Sequence, residues 1–217
     1  MSQREEVRQR IARELLRIGA VVFSPGQPFT WASGIKSPIY VDNRLTMSHP
    51  RVRRAIADGF AAIISEERLE VDAIVGTATA GIPHAAWLAD VLDLPMAYVR
   101  GSAKQHGRRN KVEGALDPGA RVVVIEDLVS TGGSSLEAVL ALRDMQAEVV
   151  AVMAIFTYGL RAASIAFKEA GIPLYTLSDF PTVVAAARAD RSLTDDDVEM
   201  LQVWHRQLSA GSSTDGD

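Results

Sequence analysis

A chain of 217 residues that is 47% hydrophobic and 23% charged can bury one sizeable core, and no linker divides it, so a single domain is expected over residues 1–208. A net charge of −4 with a pI near 5.6 weighs against a general binder of nucleic acid or of a membrane surface, and the lack of cysteine excludes disulfides, thiol nucleophiles and cysteine metal sites. The amino terminus, MSQREEVRQRIARELL, is charged throughout rather than signal-like, and no run approaches the ~20 apolar residues of a membrane helix, so the expected location is the cytoplasm.

Val7, Ile11, Leu15, Leu16 and Ile18 fall near helical spacing and predict a first amphipathic helix over 3–18. After the segment FTWASGIKSPIYVDNR at 29–44, a second helix is expected at about 50–66, with Val52, Ile56, Phe60, Ile63 and Ile64 inward. From there the chain alternates: strand VDAIV at 71–75, helix 82–92, strand MAYVR, a polar loop at 101–114, strand VVVI at 122–125, helix 134–145 and strand EVVAVMAIF. Such alternation implies βαβ units, hence an α/β fold with a central, mainly parallel sheet flanked by helices. A helix at 161–170, a short strand PLYTL and helical segments at 181–188 and 195–208 complete it, the last opening on Thr194 and three aspartates that suit the positive end of a helix dipole. The small, polar tail at 209–217 is expected to be disordered.

The stretch VVVIEDLVSTGGSS, 122–135, carries the chemistry. Val122 to Ile125 is apolar on both faces, as in a strand covered on both sides, and it delivers Glu126 and Asp127 to the carboxyl edge of the sheet, where open α/β sheets gather ligands. Two neighbouring carboxylates repel by on the order of 4 kcal/mol at ~4 Å and an effective dielectric of ~20, and metal ions or sugar hydroxyls would offset that repulsion. Ser130, Thr131, Gly132, Gly133 and Ser134 then form a hydroxyl-rich turn ahead of a helix, whose free backbone N–H groups make a cradle for a phosphate monoester. No Gly-Lys-Ser/Thr follows the glycines and the dinucleotide spacing is missing, which weighs against nucleoside triphosphates and NAD. An ordinary capping turn would explain the serines and glycines but not the paired acids.

The turn GTATAG at 76–81 lies at the same sheet edge and is compatible with an ordinary tight βα loop. The loop GSAKQHGRRNKVEG at 101–114 has several cations, three glycines and few apolar residues, the composition of a mobile lid that closes over an anionic substrate. His49, His84 and His205 lack metal-ligand spacing and read as structural, and Trp87 reads as core.

Together VVVIEDLVSTGGSS, FTWASGIKSPIYVDNR, YVRGSAKQHGRRNKVEG at 98–114 and GTATAGIP at 76–83 resemble, in order and spacing, the orotate phosphoribosyltransferases of the type I phosphoribosyltransferase family. The resemblance covers the chain from the first helix to the strand ending near Phe156. It implies transfer of the 5-phosphoribosyl group from phosphoribosyl diphosphate (PRPP) to orotate, giving orotidine 5′-monophosphate and diphosphate, a step of de novo UMP synthesis. Arg100, Lys104 and His106 are then PRPP contacts, with Lys104 the main catalytic side chain and His106 assisting at the diphosphate. Glu126 and Asp127 would hold the ribose hydroxyls, Asp127 also serving catalysis, and the stretch Leu128, Val129, Ser130, Thr131, Gly132, Gly133, Ser134 would surround the sugar's phosphate. The backbone of Thr77, Ala78, Thr79 and Ala80 would receive the diphosphate. Ser130 would also face orotate, with Tyr40 a candidate face for the pyrimidine and the backbone at 33–36 a candidate edge.

The same resemblance implies Mg²⁺ held mainly through PRPP rather than by protein ligands, no nucleic-acid or membrane partner, and a homodimer whose loop reaches the neighbouring subunit's site. Some positions depart from certain relatives. Ala32 and Ala80 stand where lysine occurs, Gly101 where a second lysine can occur, and Glu126 replaces a frequent aspartate. No arginine follows the strand ending near Phe156, which leaves Lys36 and Arg161 as candidates for the orotate carboxylate. Arg108, Arg109 and Lys111 match no motif position and read as a solvated part of the loop. Of the rival readings, a purine-base phosphoribosyltransferase would share the PRPP turn but not AKQHG or SGIKSPIYVD. A non-catalytic PRPP sensor that binds nucleic acid would need a fixed basic face or an added module, and neither is evident.

Overall fold

The computed structural model describes residues 2–30, 36–101 and 111–211. Helix α1 (Gln3–Arg17) leads into strands β1 (Val21–Phe23), β2 (Phe29–Thr30), β3 (Lys36–Ser37) and β4 (Ile39–Val41), which form two antiparallel pairs, β1 with β4 and β2 with β3. A 3₁₀ turn (Asn43–Ser48) and helix α2 (Pro50–Glu66) follow. Then come β5 (Ala73–Thr77), α3 (Gly81–Leu92), β6 (Met96–Val99), β7 (Val112–Glu113), β8 (Arg121–Val129), α4 (Gly133–Asp144), β9 (Glu148–Thr157), α5 (Arg161–Ala170), β10 (Leu174–Asp179), α6 (Phe180–Ala189) and α7 (Asp195–Gly211).

The central sheet has the order β10-β9-β8-β5-β6-β7, parallel throughout except for β7, which runs antiparallel to β6. The expected α/β architecture is therefore present. In β8 the side chains alternate between two cores. Val123 and Ile125 join the cluster under α1, α2, α3, α6 and α7, while Val122 and Val124 join the one under α4 and α5. That two-sided burial is why the strand reads as an unbroken apolar run. Phe60 of α2 and Phe156 of β9 are both fully buried in the first cluster, where truncating either to alanine costs about 3–5 kcal/mol.

The first two helices keep their expected faces: Ile11 and Leu15 of α1, and Val52, Ile56, Phe60 and Ile63 of α2, are buried. Pro50 opens α2, where its fixed φ suits a first helical position and its missing N–H costs nothing. Three features differ from expectation. Part of the segment expected to be a polar loop enters the sheet as β7, because Val112 is apolar, pairs with Val99 and is buried. Helix α7 continues to Gly211, past the expected start of the tail, and Ser209 Oγ accepts from the Arg161 N–H at 3.1 Å. The rest of that tail, 212–217, lies outside the described residues. Trp87, expected in the core, is only half-buried, with the Arg53 guanidinium 4.9 Å above its ring.

Candidate functional site

From β5 the chain crosses by α3 to β6 on one side of the sheet, and from β8 it crosses by α4 to β9 on the other. The crevice between the carboxyl ends of β5 and β8 is thus the topological switch point, the place where such sheets bind ligands. The two strands do not end together. The last register pair of β5 with β8 is Gly76 with Ile125, whereas β9 stays alongside β8 as far as Val129 opposite Thr157. Glu126 and Asp127, expected just beyond the strand, therefore lie inside its final stretch, with their carboxyl groups close enough to hydrogen-bond.

The two acids are not equivalent. Glu126 is 6% exposed and is occupied within the protein: its Oε2 accepts from the hydroxyls of Ser134 (3.1 Å) and Ser135 (3.2 Å), and its Oε1 from the Asp127 N–H (3.1 Å). Both serines stand in the first turn of α4, so Glu126 braces the turn that precedes them. Asp127 is anchored through its main chain, its carbonyl accepting from Nδ2 of the buried Asn43 at 2.6 Å. Its carboxyl is pushed up to about 7, first by burial and then by the charge of Glu126 next door. Neither acid makes an ion pair among the described residues. Arg44 follows Asn43, forms a two-pronged pair with Asp42 (2.7 and 2.9 Å), and lies close enough to Asp127 and Tyr40 to feel their charge.

The turn Ser130, Thr131, Gly132 joins β8 to α4. Gly132 has φ +92°, and a Cβ there would stand 2.7 Å from the Phe167 ring, so no other residue fits without displacement. No side chain caps the start of α4, which leaves its N-terminus free to receive an anion. Leu128 packs on the first core and Val129 is buried in the second, its carbonyl accepting from Thr157 Oγ1 at 2.9 Å. These two can serve a ligand only through their main chain.

The other turn is pressed against β8. Thr77 Oγ1 donates to the Ile125 carbonyl at 3.1 Å, and a Cβ on Gly81 would fall on that same oxygen and 2.6 Å from Thr77 Oγ1. The Ala78–Thr79 peptide is cis, and the Ala78 N–H donates to the Val99 carbonyl at 2.8 Å. Thr79 is exposed and Ala80 precedes α3. A cavity of about 250 Å³ joins the two turns, lined among others by Thr77, Ala78, Arg100, Lys111, Ser134 and Glu137. Arg100 sits 3.4 Å from Glu113, and Lys111 3.8 Å from Glu137. A larger, mostly apolar cavity of about 580 Å³ between α6 and α7 contains none of the expected site residues.

The fold thus brings Thr77, Ala78, Arg100, Gly133 and Ser134 to one cavity and places Glu126, Asp127 and the turn at 130–132 on the same sheet edge. Tyr40 is exposed, its ring tilted on Phe29 at 5.6 Å, and so presents a face. Lys36 donates to Thr30 Oγ1 at 2.7 Å, and the exposed Arg161 opens α5. Lys104, His106 and the segment 31–35, with its backbone edge at Ser33, lie outside the described residues. Asn43 and Ser135 had no assigned part, although both stand within the segments that carry the resemblance; only the fold shows that each holds one of the paired acids. His84 is buried, 3.1 Å from Thr46 Oγ1, with its pKa lowered to about 4 by burial, and His205 contacts the Tyr158 carbonyl at 2.6 Å, stacked on Phe180. Both are structural. Among the described residues no group of three or more histidines and carboxylates is placed to hold a metal ion.

Comparison with known proteins gives one family. The family model for the phosphoribosyl transferase domain matches residues 48–173. The orotate phosphoribosyltransferase of Staphylococcus saprophyticus is 53% identical over 199 residues, 92% of this chain and 98% of the relative. That of Halalkalibacterium halodurans is 48% identical over 206 residues, 95% and 98% of the two chains. Among solved structures, orotate phosphoribosyltransferase from Aeropyrum pernix aligns with a TM-score of 0.72 at 29% identity, over 81% of this chain and 96% of that one. UMP synthase of Leishmania donovani aligns with a TM-score of 0.78 at 27% identity over 92% of this chain, which spans 42% of the length of that protein.

Proposed function

Since the chain belongs to the orotate phosphoribosyltransferases of the phosphoribosyl transferase family, we propose how its residues divide the work of moving a 5-phosphoribosyl group from PRPP to orotate. The observation that carries the reading is the meeting of an uncapped helix N-terminus and a second βα turn around one cavity, with an acidic strand end on the same sheet edge. The 5-phosphate sits on the turn Ser130 to Ser134, where the start of α4 offers N–H donors. Asp127 accepts from the ribose hydroxyls, and Glu126, held by Ser134 and Ser135, keeps the turn in shape. The backbone of Thr77 to Ala80 and the guanidinium of Arg100 receive the diphosphate.

A ring nitrogen of orotate then forms a bond to the anomeric carbon as the bond from that carbon to the diphosphate oxygen breaks, the proton of that nitrogen passing to the departing diphosphate or to solvent. The leaving group carries the electron pair away. No protein nucleophile is needed. Positive charge grows on the ribose beside Asp127, and negative charge grows on the diphosphate, where Lys104 and His106 act by their place in the motif. Ionised carboxylates accept only, and a pair of them, one raised by burial and then by its neighbour's charge, suits a hard cation. Mg²⁺, held mainly through PRPP, would supply neutralisation of the diphosphate. Tyr40 offers a ring face for the pyrimidine, and Arg44, a cation on which both Tyr40 and Asp127 act, suits the orotate carboxylate better than Lys36 or Arg161. The reading extends to a homodimer in which the loop of one subunit serves the other's site, and to a cytoplasmic location; among the described residues no helix is long and apolar enough to cross a membrane.

The test is loss of orotate absorbance in the ultraviolet on mixing protein, PRPP and Mg²⁺, with adenine and hypoxanthine run in parallel. PRPP-dependent orotate loss that EDTA stops is the expected result. Turnover of a purine without orotate loss would move the enzyme to another branch of the family.

A further inference from the structure

We propose that Lys111 is a diphosphate-binding residue, supplying from the start of β7 a cation that the two βα turns of this chain do not carry. The inference rests on reading the 250 Å³ cavity as the PRPP site. Lys111 itself matches no motif position and reads as a solvated part of the loop, but the fold gives it a fixed place. Its carbonyl accepts from the Arg100 N–H at 2.8 Å, and the next residue, Val112, pairs with Val99 in the sheet. Lys111 is therefore tied to the end of β6, directly beside Arg100.

Its side chain lines the same cavity as Thr77, Ala78 and Ser134. The Nζ is 3.8 Å from Glu137 Oε2 at the start of the second turn of α4, and the two side chains are 39% and 68% exposed. An ion pair that long and that exposed is weak, so the ammonium is kept at the cavity without being consumed by its partner. Charge balance asks for it. The other cation on the cavity wall among the described residues is Arg100, itself 3.4 Å from Glu113. Glu137 adds negative charge to the wall, while Ala80 and Gly101 contribute none. A diphosphate group placed there brings several negative charges of its own, and a lysine on a flexible stem can leave a weak carboxylate partner for phosphate oxygens. Glu137 is then the competitor: it holds Lys111 when the cavity is empty and weakens the capture of diphosphate.

Steady-state kinetics on the full chain with Mg²⁺ test this, using wild type, Lys111→Ala, Lys111→Arg and Glu137→Gln. Lys111→Ala is expected to raise the KM for PRPP about five- to tenfold and to weaken product inhibition by diphosphate to a similar extent. The KM for orotate should stay within about twofold of wild type, since uniform binding of the diphosphate is what is lost. Lys111→Arg should recover most of the loss, and Glu137→Gln should lower the KM for PRPP. An unchanged PRPP KM in a folded Lys111→Ala protein, or an equal rise in both KM values, overturns the assignment. Calorimetric titration with magnesium diphosphate separates this inference from the functional reading. Wild-type binding that Lys111→Ala weakens supports Lys111 even where orotate is not consumed, and equal binding by the two proteins removes it even where orotate is consumed.

Discussion

At its first residue, strand β8 sets Arg121 against Asp72, with Nε and Nη2 at 2.9 and 2.8 Å from the two carboxylate oxygens and Glu70 alongside. Asp72 is thereby held well below the usual carboxylate range. At its far end the same strand sets Glu126 beside Asp127, and among the described residues no cation pairs with either. Asp127 is driven up toward neutrality instead. One edge of the sheet balances its charges within the protein. The other lowers its surplus by holding a proton on Asp127, the pattern expected of a candidate ligand site rather than of a finished surface. The surplus lowers the stability of the empty protein and is retained for binding.

The contrast would break most decisively on Asp127→Asn. On the proposed reading, removing the charge assigned to the ribose should lower kcat/KM for PRPP by about 100-fold or more, measured by steady-state orotate consumption. Wild-type PRPP kinetics in that variant would make the acids structural. The same substitution should stabilise the empty protein at alkaline pH. Because the Asp127 pKa is raised on folding, its contribution to stability is fully present below about pH 4 and is lost as pH rises through about 7. Urea unfolding of Asp127→Asn should therefore exceed wild type by about 1–3 kcal/mol above pH 8, with the gap closing near pH 4. A gap that does not change with pH would refute the link between the surplus charge and stability.

Arg44→Ala sharpens the comparison from the cation's side. It should raise the KM for orotate about tenfold while leaving the KM for PRPP near wild type. The smallest effect belongs to the balanced edge. Asp72→Asn removes an exposed pair and should lower Tm by no more than a few degrees, with unchanged kinetics. Because the Asp72 pKa is depressed, that loss should be present at neutral pH and fade as pH falls through the acid range. A kinetic defect there would mean that the two edges are coupled.

Much of this was legible along the chain. The helical spacing of Val52, Ile56, Phe60 and Ile63 placed α2, and the uninterrupted Val122 to Ile125 placed a strand buried on both faces. The glycine and hydroxyl run after it located the turn into α4. These are local signals, since hydrogen-bond periods and turn conformations depend on residues a few positions apart. The short pair β1 with β4 and the two-residue β7 gave no such signal, for each of these strands has too few residues to show a period and exists because its partner is there.

Tertiary structure alone decided the rest. Strand β8 continues past Ile125 because β9 remains beside it, with Leu128 opposite Phe156. Ser134 and Ser135 fold back onto Glu126, whereas the Asp127 carboxyl has Glu126 itself and the neighbouring backbone N–H groups as partners while Asn43 holds its main chain. Lys111 joins the cavity because the Arg100 N–H pins its carbonyl to the end of β6. Local conformation is set by neighbours in sequence, and so the sequence determined the elements, their order and the segment that carries the chemistry. The balance of charge at a site is set by neighbours in space, and so only the folded chain determined how each of the two acids is held.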